Sequence, residues 1–541
     1  MSWPHWIIVP VALPLLVGAL LLLVERRARP LVAPIALGST LVQLLVAIGL
    51  LQHAAGGEVS AYLLGNWRVP FGIALALDRL SAMMLLVTAG VALATLVYAR
   101  GDDARRSPHF YALFQFQLMG LNGAFLTADL FNLFVFFEVL LIASYGLLLH
   151  GAGPARLRAS FHYVSFNVAA AGLFLIAVSL LYAQTGTLNM ADLAMRVPEL
   201  TGSSARLAGT AALVLLVVFC VKAALLPLYF WLPDTYSSAT APVAALFAIM
   251  TKVGVYAIAR VYTLVFGASG GEAADVAYPW LPVLALGTLA LAALGVLGAV
   301  RVRIMVAYLI VVSAGILLLA LGLGTEATVG AGLFYLVNTT FATAALFLLV
   351  DRICAARAGG EVPPDLLRAA PIRANRAALG AAFFTLAVAV ASMPPLAGFM
   401  GKGLLLLAAW DTPLGGWTWA VLLAASFVII VALARAGGTL FWSSAESNDD
   451  EGLWGGSASS VAVIEGHAPD GTQHVYGIGL LIAMVVAAAL LAGPIGRYTS
   501  DTAAQLFERR PYIEAVLGEV PVPAVIDIRR NMGKPKKEPK R

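Results

Sequence analysis

Residues 221–260 read VKAALLPLYFWLPDTYSSATAPVAALFAIMTKVGVYAIAR, and this stretch decides the fold. Two apolar runs carry one lysine each, Lys222 and Lys252, and Pro227 and Pro233 interrupt the first run. Apolar runs of about 20 residues match the hydrocarbon core of a bilayer. Both runs therefore read as membrane helices, and the first must break where proline removes an amide donor. An ionisable side chain at that depth costs at least about 2.5–3.5 kcal/mol on insertion scales, which marks both lysines as functional positions.

The pattern extends along the chain. Of 541 residues, 61% are apolar and 12% charged, and mean hydropathy is +0.89, far from soluble averages. Only seven residues are lysines, against 27 arginines. Lys534, Lys536, Lys537 and Lys540 lie in a basic tail; Lys222, Lys252 and Lys402 lie in apolar runs. Arginine stays charged, whereas a desolvated lysine can lose its proton near neutral pH. Keeping arginine for loops and lysine for the interior suits a protein that handles protons.

Other chemistries find little support. The net charge of +5 comes from arginine-rich loops and the tail, not from a nucleic-acid surface. Two cysteines, Cys220 and Cys354, give no disulfide framework or iron–sulfur pattern and read as small core residues. The seven histidines show no metal-ligand spacing, so a membrane-embedded enzyme such as a lipid-modifying transferase is disfavoured. No covalent chemistry and no cofactor motif is visible. MSWPHWIIVP lacks the basic start of a cleaved signal, so the first run should remain as a helix.

The fold class expected is an all-α polytopic membrane protein of about fourteen spans. Residues 1–105 hold helices 1–3 and an outer hairpin at 58–77; 106–266 and 267–442 hold five helices each. An acidic, Gly/Ser-rich linker follows at 443–473, then helix 14, an amphipathic segment TAAQLFERRPYIEAVLGEV and the tail at 474–541. Arginines gather in alternate loops, among them Arg26, Arg27, Arg29, Arg156, Arg158, Arg301 and Arg303. Those loops face the cytoplasm by the positive-inside rule, placing the N-terminus outside. Arg68, Arg79, Arg196, Arg206 and Arg260 are assigned to outer loops. An even span count leaves the basic tail outside, against the rule.

The twelfth span, 377–410, would be about 50 Å long as one helix, too long for a core of about 30 Å. Its middle, SMPPLAGFMGKG, puts Pro394, Pro395, Gly398, Gly401 and Gly403 around Lys402, so the helix must open there. Spans seven and twelve each break in the fourth of five helices, the pattern of an inverted repeat around an ion pathway. Glu138 sits mid-span in TADLFNLFVFFEVLLIASYGLLL, and an ion pair with Lys222 is expected. Glu138, Lys222, Lys252 and Lys402 then form a mid-membrane row of protonatable sites. Water and His162, Ser165, Asn167, Asn338, Thr339 and Thr340 would bridge it. A cation site is not assigned; Asp129, Asp234 and Glu138 are candidates.

Four segments carry a resemblance: DLFNLFVFFEVLLIASYGLLL, YAQTGTLNMADLA, residues 221–260, and PPLAGFMGKGLLL. They resemble the antiporter-like proton-translocating subunits shared by respiratory complex I, membrane-bound hydrogenases and Mrp-type cation/proton antiporters. Within that family the chain is most similar to the D subunits of the Mrp-type Na+(K+)/H+ antiporters. The resemblance implies fourteen helices with two inverted five-helix repeats, broken helices 7 and 12, and a polar axis at mid-membrane. By motif position it implies proton-relay roles for Glu138, Lys222, Lys252 and Lys402. It implies partners as well: small membrane subunits and a larger homologous subunit of one complex in the cell membrane. Two departures stand out. FYLVNTTFATAALF has Asn338 and Thr339 where many relatives carry a titratable group, and Tyr236 stands where complex I relatives tend to have histidine. The rival functions are a redox-driven proton pump subunit and a transporter that works alone.

Overall fold

A computed structural model describes residues 3–100, 108–150, 153–359, 362–372, 375–442 and 472–518. The expected linker, up to residue 471, and the basic tail lie outside the described residues. Two apolar helices, α1 (Val9–Arg27) and α2 (Val32–Ala54), come first. Strands β1 (Ser60–Leu63) and β2 (Ala74–Leu77) then pair antiparallel, Ser60 opposite Leu77 and Leu63 opposite Ala74. Asp78 ends the hairpin and starts α3 (Arg79–Ala99) through a reciprocal capping box with Ser81.

Next come α4 (Phe110–Leu126), α5 (Leu130–Leu148), α6 (Pro154–Thr185), the short α7 (Met190–Arg196) and α8 (Gly202–Ala223). Residues 221–260 form the end of α8, then α9 (Trp231–Ser238), α10 (Ala241–Phe247) and most of α11 (Met250–Leu264). Beyond them lie α12 (Leu281–Gly298), α13 (Val302–Gly322) and α14 (Glu326–Arg357). The remainder is α15 (Arg376–Ala391), α16 (Ala397–Ala409), α17 (Gly415–Phe441), α18 (Thr472–Leu490), α19 (Ala492–Phe507) and α20 (Arg509–Leu517). Among the described residues, eleven helices are long and apolar enough to cross a membrane, twelve if the pair bent by 79° at Leu491 counts as one span. The α10–α11 span, α13 and α14 are nearly enclosed, while in α1, α2, α6 and α17 only 28–39% of the apolar stretch is buried.

Both expected breaks are present. Ala224 ends α8 at φ +59° and Ser392 ends α15 at φ +61°, left-handed positions that L-residues seldom occupy. The backbone groups freed at each break find partners: Thr288 Oγ1 accepts from Leu226 N at 2.9 Å, and Asn338 Nδ2 donates to Ala389 O at 3.2 Å. A third break was not expected. Between α10 and α11, Ala248 N and Ile249 N bond three residues back, to Ala245 O and Leu246 O, and Lys252 N to Ile249 O. This tighter turn sits directly before Lys252, and Tyr236 OH donates to the carbonyl of Phe247 within it at 3.0 Å.

A pair of two-residue ladders recurs. Leu130 N bonds Leu188 O while Met190 N bonds Ala128 O, tying the start of α5 to the end of α6. In the same way Val302 N bonds Asp365 O and Leu367 N bonds Val300 O, tying the start of α13 to the segment after α14. The first ladder adjoins the hairpin, since Ala128 N bonds Ala74 O. The second lies near the other end of α3, where Tyr98 and Arg303 both bond Asp351.

The C-terminal amphipathic segment is two helices rather than one. Chain direction changes at Glu508, and Leu506, Tyr512 and Val516 are buried against the chain's own hairpin end. Arg260 is likewise not in a loop: it is 3% exposed within α11 and pairs with Asp78 at 2.6 Å. Eight residues earlier on α11 lies Lys252, with Tyr256 midway, so the three share one buried helix face.

Candidate functional site: a row of buried lysines

Lys252 and Lys402 are enclosed, at 0% and 6% exposure, Lys222 is largely covered, and each of the three is held by neutral oxygen. Lys222 Nζ donates to Asn167 Oδ1 at 2.9 Å. Lys252 Nζ donates to Ser313 Oγ at 2.8 Å and to Thr251 Oγ1 at 3.3 Å. Lys402 Nζ donates to Ser426 Oγ at 3.0 Å and to Ala391 O at 3.4 Å. The described ion pairs all involve arginine or histidine; none contains a lysine. A lysine held only by neutral oxygen can take up or release its proton without a salt bridge being broken.

The expected Glu138–Lys222 pair is not a contact ion pair in this structure, although the two charges are near enough to act on one another. Glu138 is half-buried and shares its helix face with the exposed Phe131, Val135 and Ile142, on the outer flank of α5. Lys222 passes instead over the ring of Phe137, 5.8 Å from its centroid, towards α6. His162 and Ser165 do not join the row either. Both are on the outer face of α6, and Ser165 Oγ bonds Phe161 O in its own helix. Asp234 is exposed on α9, and Asp129 caps α5 by accepting from Asn132 N at 2.9 Å.

Close backbone contact brings Lys222 and Lys252 to adjoining helices. A Cβ on Gly254 would lie 2.5 Å from Ala223 N, so α11 touches the end of α8 with no side chain between them. Beside this contact is a cavity of ≈ 20 Å³ whose lining includes Lys222, Asn167, Tyr163, Trp231 and Met250. It has room for about one water molecule. Trp231 Nε1 is buried with no hydrogen-bond partner among the described residues, a donor suited to such a water.

Asn338 and Thr340 are buried on α14, and Asn338 bridges to the break in the twelfth span as Asn167 reaches the lysine at the seventh. Thr339 and Thr340 carry no bond to any of the lysines: Thr340 Oγ1 donates to Leu336 O, and the carbonyl of Thr339 accepts from Thr343. Sequence reasoning missed Ser313, Ser426 and Thr288, single hydroxyls in apolar helices that no motif distinguishes. No group of three potential metal-ligating side chains occurs among the described residues.

With this geometry in place, comparison with known proteins is decisive. The profile of the NADH:quinone oxidoreductase/Mrp antiporter transmembrane family matches residues 127–431. The chain belongs to this family. The D subunit of a probable K+/H+ antiporter of Rhizobium meliloti is 40% identical, covering 95% of this chain and 97% of the relative. The D subunit of a Na+/H+ antiporter of Alkalihalophilus pseudofirmus is 33% identical over 95% of this chain and 99% of its own. Among solved structures, a chain of the Mrp complex from Dietzia sp. aligns with TM-score 0.82 at 28% identity, over 96% of this chain and 100% of that one. The family match spans Glu138, Lys222, Lys252 and Lys402 alike.

Proposed function

We propose that this chain is the proton-translocating D subunit of a multisubunit Mrp-type antiporter that exchanges cytoplasmic Na+ or K+ for external H+. The observation that carries the reading is the row itself: three internal lysines, each on a neutral oxygen and none in a described ion pair. Such groups can be protonated and deprotonated without breaking a salt bridge. The similarity to the D subunits of antiporters over nearly the full chain supports the exchange reaction over a redox-driven pump.

In this reading the row runs Glu138, Lys222, Lys252, Lys402. Glu138 lies at the outer flank and modulates Lys222 through space rather than by contact. The chain crosses the cell membrane fourteen times, with α8–α9 and α15–α16 as broken helices 7 and 12. Residues 106–266 and 267–442 form two repeats of opposite orientation, framed by helices 1–3 in 1–105 and by helix 14 in 474–541. The paired ladders support this: one lies beside the hairpin, its counterpart near the far end of α3. The hairpin face is external, as is the N-terminus. Partner membrane subunits, including a larger homologue, cover part of the exposed apolar flank.

The test is reconstitution of the whole complex in liposomes with Na+- and K+-dependent proton flux as the readout. Lys222→Ala and Lys252→Ala should remove nearly all exchange while the complex still assembles. Normal exchange in either variant overturns the relay. Co-purification of redox subunits in place of antiporter subunits would favour the pump.

A further inference from the structure

Lys252 follows a turn that its own sequence does not explain. ALFAIMTK, residues 245–252, holds neither proline nor glycine, yet three backbone bonds there run three residues back instead of four. A continuous helix would give the Phe247 carbonyl to Thr251 N. Here that carbonyl accepts from Tyr236 OH at 3.0 Å, a donor on the neighbouring α9. The hydroxyl stands in for the helix's own amide.

The turn sets where Lys252 points. Each residue of a three-residue turn advances about 120°, against about 100° in an α-helix, so a run of three rotates the chain about 60° further. Beyond the turn α11 is fixed: Gly254 abuts Ala223, Tyr256 OH donates to Phe125 O at 2.7 Å, and Arg260 pairs with Asp78 at 2.6 Å. Rewinding the turn must therefore displace the residues in between, Thr251 and Lys252 among them. In the tight form Lys252 Nζ meets Ser313 Oγ at 2.8 Å and Thr251 Oγ1 at 3.3 Å.

Tyr236 is also joined to the other lysine. It is 1% exposed, with its ring 5.4 Å from Phe247 and 6.5 Å from Phe347 on α14. Five residues earlier on the same short helix, Trp231 lines the cavity at Lys222 and lies 6.1 Å from the Tyr236 ring. Arg156 closes the far end of α9 by donating to Ser238 O at 2.6 Å. One short helix thus touches the surroundings of Lys222 at its start and the turn that carries Lys252 further along. Any buried tyrosine needs an acceptor for its hydroxyl. The acceptor here is a carbonyl withdrawn from a helix ladder, just over one turn before a relay lysine.

We propose that Tyr236 is a positioning residue of the proton relay: its hydroxyl holds the turn before Lys252 in the tight form that seats that lysine on Ser313, and ties this seating to α9 beside Lys222. The inference rests on the relay reading above and names the residue that aligns one of its steps. Tyr236 keeps its proton on the Phe247 carbonyl and takes no part in the transfer. Movement of α9 at the first break is passed to Lys252 through this one hydrogen bond.

The experiment uses the complete complex in liposomes, with cation-dependent proton flux counted per assembled complex. Tyr236→Phe keeps the ring and removes the hydroxyl, and should lower flux about tenfold or more, the scale of a misplaced reacting group. Ser313→Ala should act through the same seating, so the double variant should be no slower than the slower single one. Tyr236→Phe combined with Ser426→Ala, which alters the partner of Lys402, should instead show the two losses multiplied, as for independent sites. A structure of the Tyr236→Phe complex should show residues 245–252 wound as a regular helix and Lys252 off Ser313. Flux within about twofold of the unaltered complex, or losses that multiply in the Tyr236/Ser313 pair, overturns the proposal. Failure of Tyr236→Phe to assemble overturns it as well, in favour of a role in folding alone. If the unaltered complex exchanges no alkali cation for protons, the antiporter reading falls, while the structure of the variant still decides the positioning.

Discussion

Lys222 gives its hydrogen bond to Asn167, 55 residues away on α6, and not to the glutamate one position from the ring it crosses. The lysine is thereby anchored without being neutralised. Replacing Asn167 with leucine should remove the ammonium's hydrogen-bond partner and cut proton flux by an order of magnitude or more. Asn167→Asp should supply a counter-charge, hold the lysine protonated and slow exchange comparably. The two variants separate by pH: raising the pH should restore flux in the aspartate variant only, read as flux against pH in liposomes.

Lysine, and not merely positive charge, is required at position 252. Lys252→Arg keeps a cation that does not lose its proton in proteins. Its exchange should fall as far as in Lys252→Ala, while the amount of assembled complex stays closer to the unaltered level. Flux per assembled complex is the measurement.

Gly254 sets the spacing between two lysines. Even alanine puts a carbon 2.5 Å from Ala223 N, so the helices must part. Overpacking of this kind costs about 1–3 kcal/mol. Gly254→Ala should lower thermal stability accordingly and reduce flux, whereas Gly403→Ala, which meets nothing within 4 Å, should alter stability little.

The buried Arg260–Asp78 pair should be costly to break from one side. Both side chains are at most 4% exposed. Arg260→Met alone strands the carboxylate, at a cost of about 3–5 kcal/mol. Combining it with Asp78→Asn should recover part of that loss, read as melting temperature of the detergent-solubilised complex.

Broad architecture was legible in the sequence because a bilayer imposes simple rules. Length of apolar runs located most of the membrane helices, eleven or twelve of which are long and apolar enough among the described residues, and clustered prolines located both expected breaks. The partners of the buried lysines were not legible. Charge alone favours Glu138 for Lys222, but one turn of helix rotation decides which side of α5 the carboxylate occupies. The tight turn before Lys252 escaped notice because ALFAIMTK, residues 245–252, contains no proline, and the hydroxyl of Tyr236 on a neighbouring helix is what marks it. The serines that hold Lys252 and Lys402 lie 61 and 24 residues away from them and carry no local signature.

The aromatic cover over Arg260 has a consequence for how the protein is made. Tyr512 stacks on that guanidinium at 4.8 Å, and Arg509 bonds the carbonyls of Ala194 and Leu264 beside it. The ribosome reaches Tyr512 about 250 residues after Arg260, which at roughly 5–20 residues per second is on the order of 10–50 s. Throughout that interval the interior charge has its carboxylate but not its roof. The α19–α20 pair thus serves as the closing fastener of biogenesis, and a chain cut short before residue 492 would enter the bilayer complete in its lysine row yet open at one end.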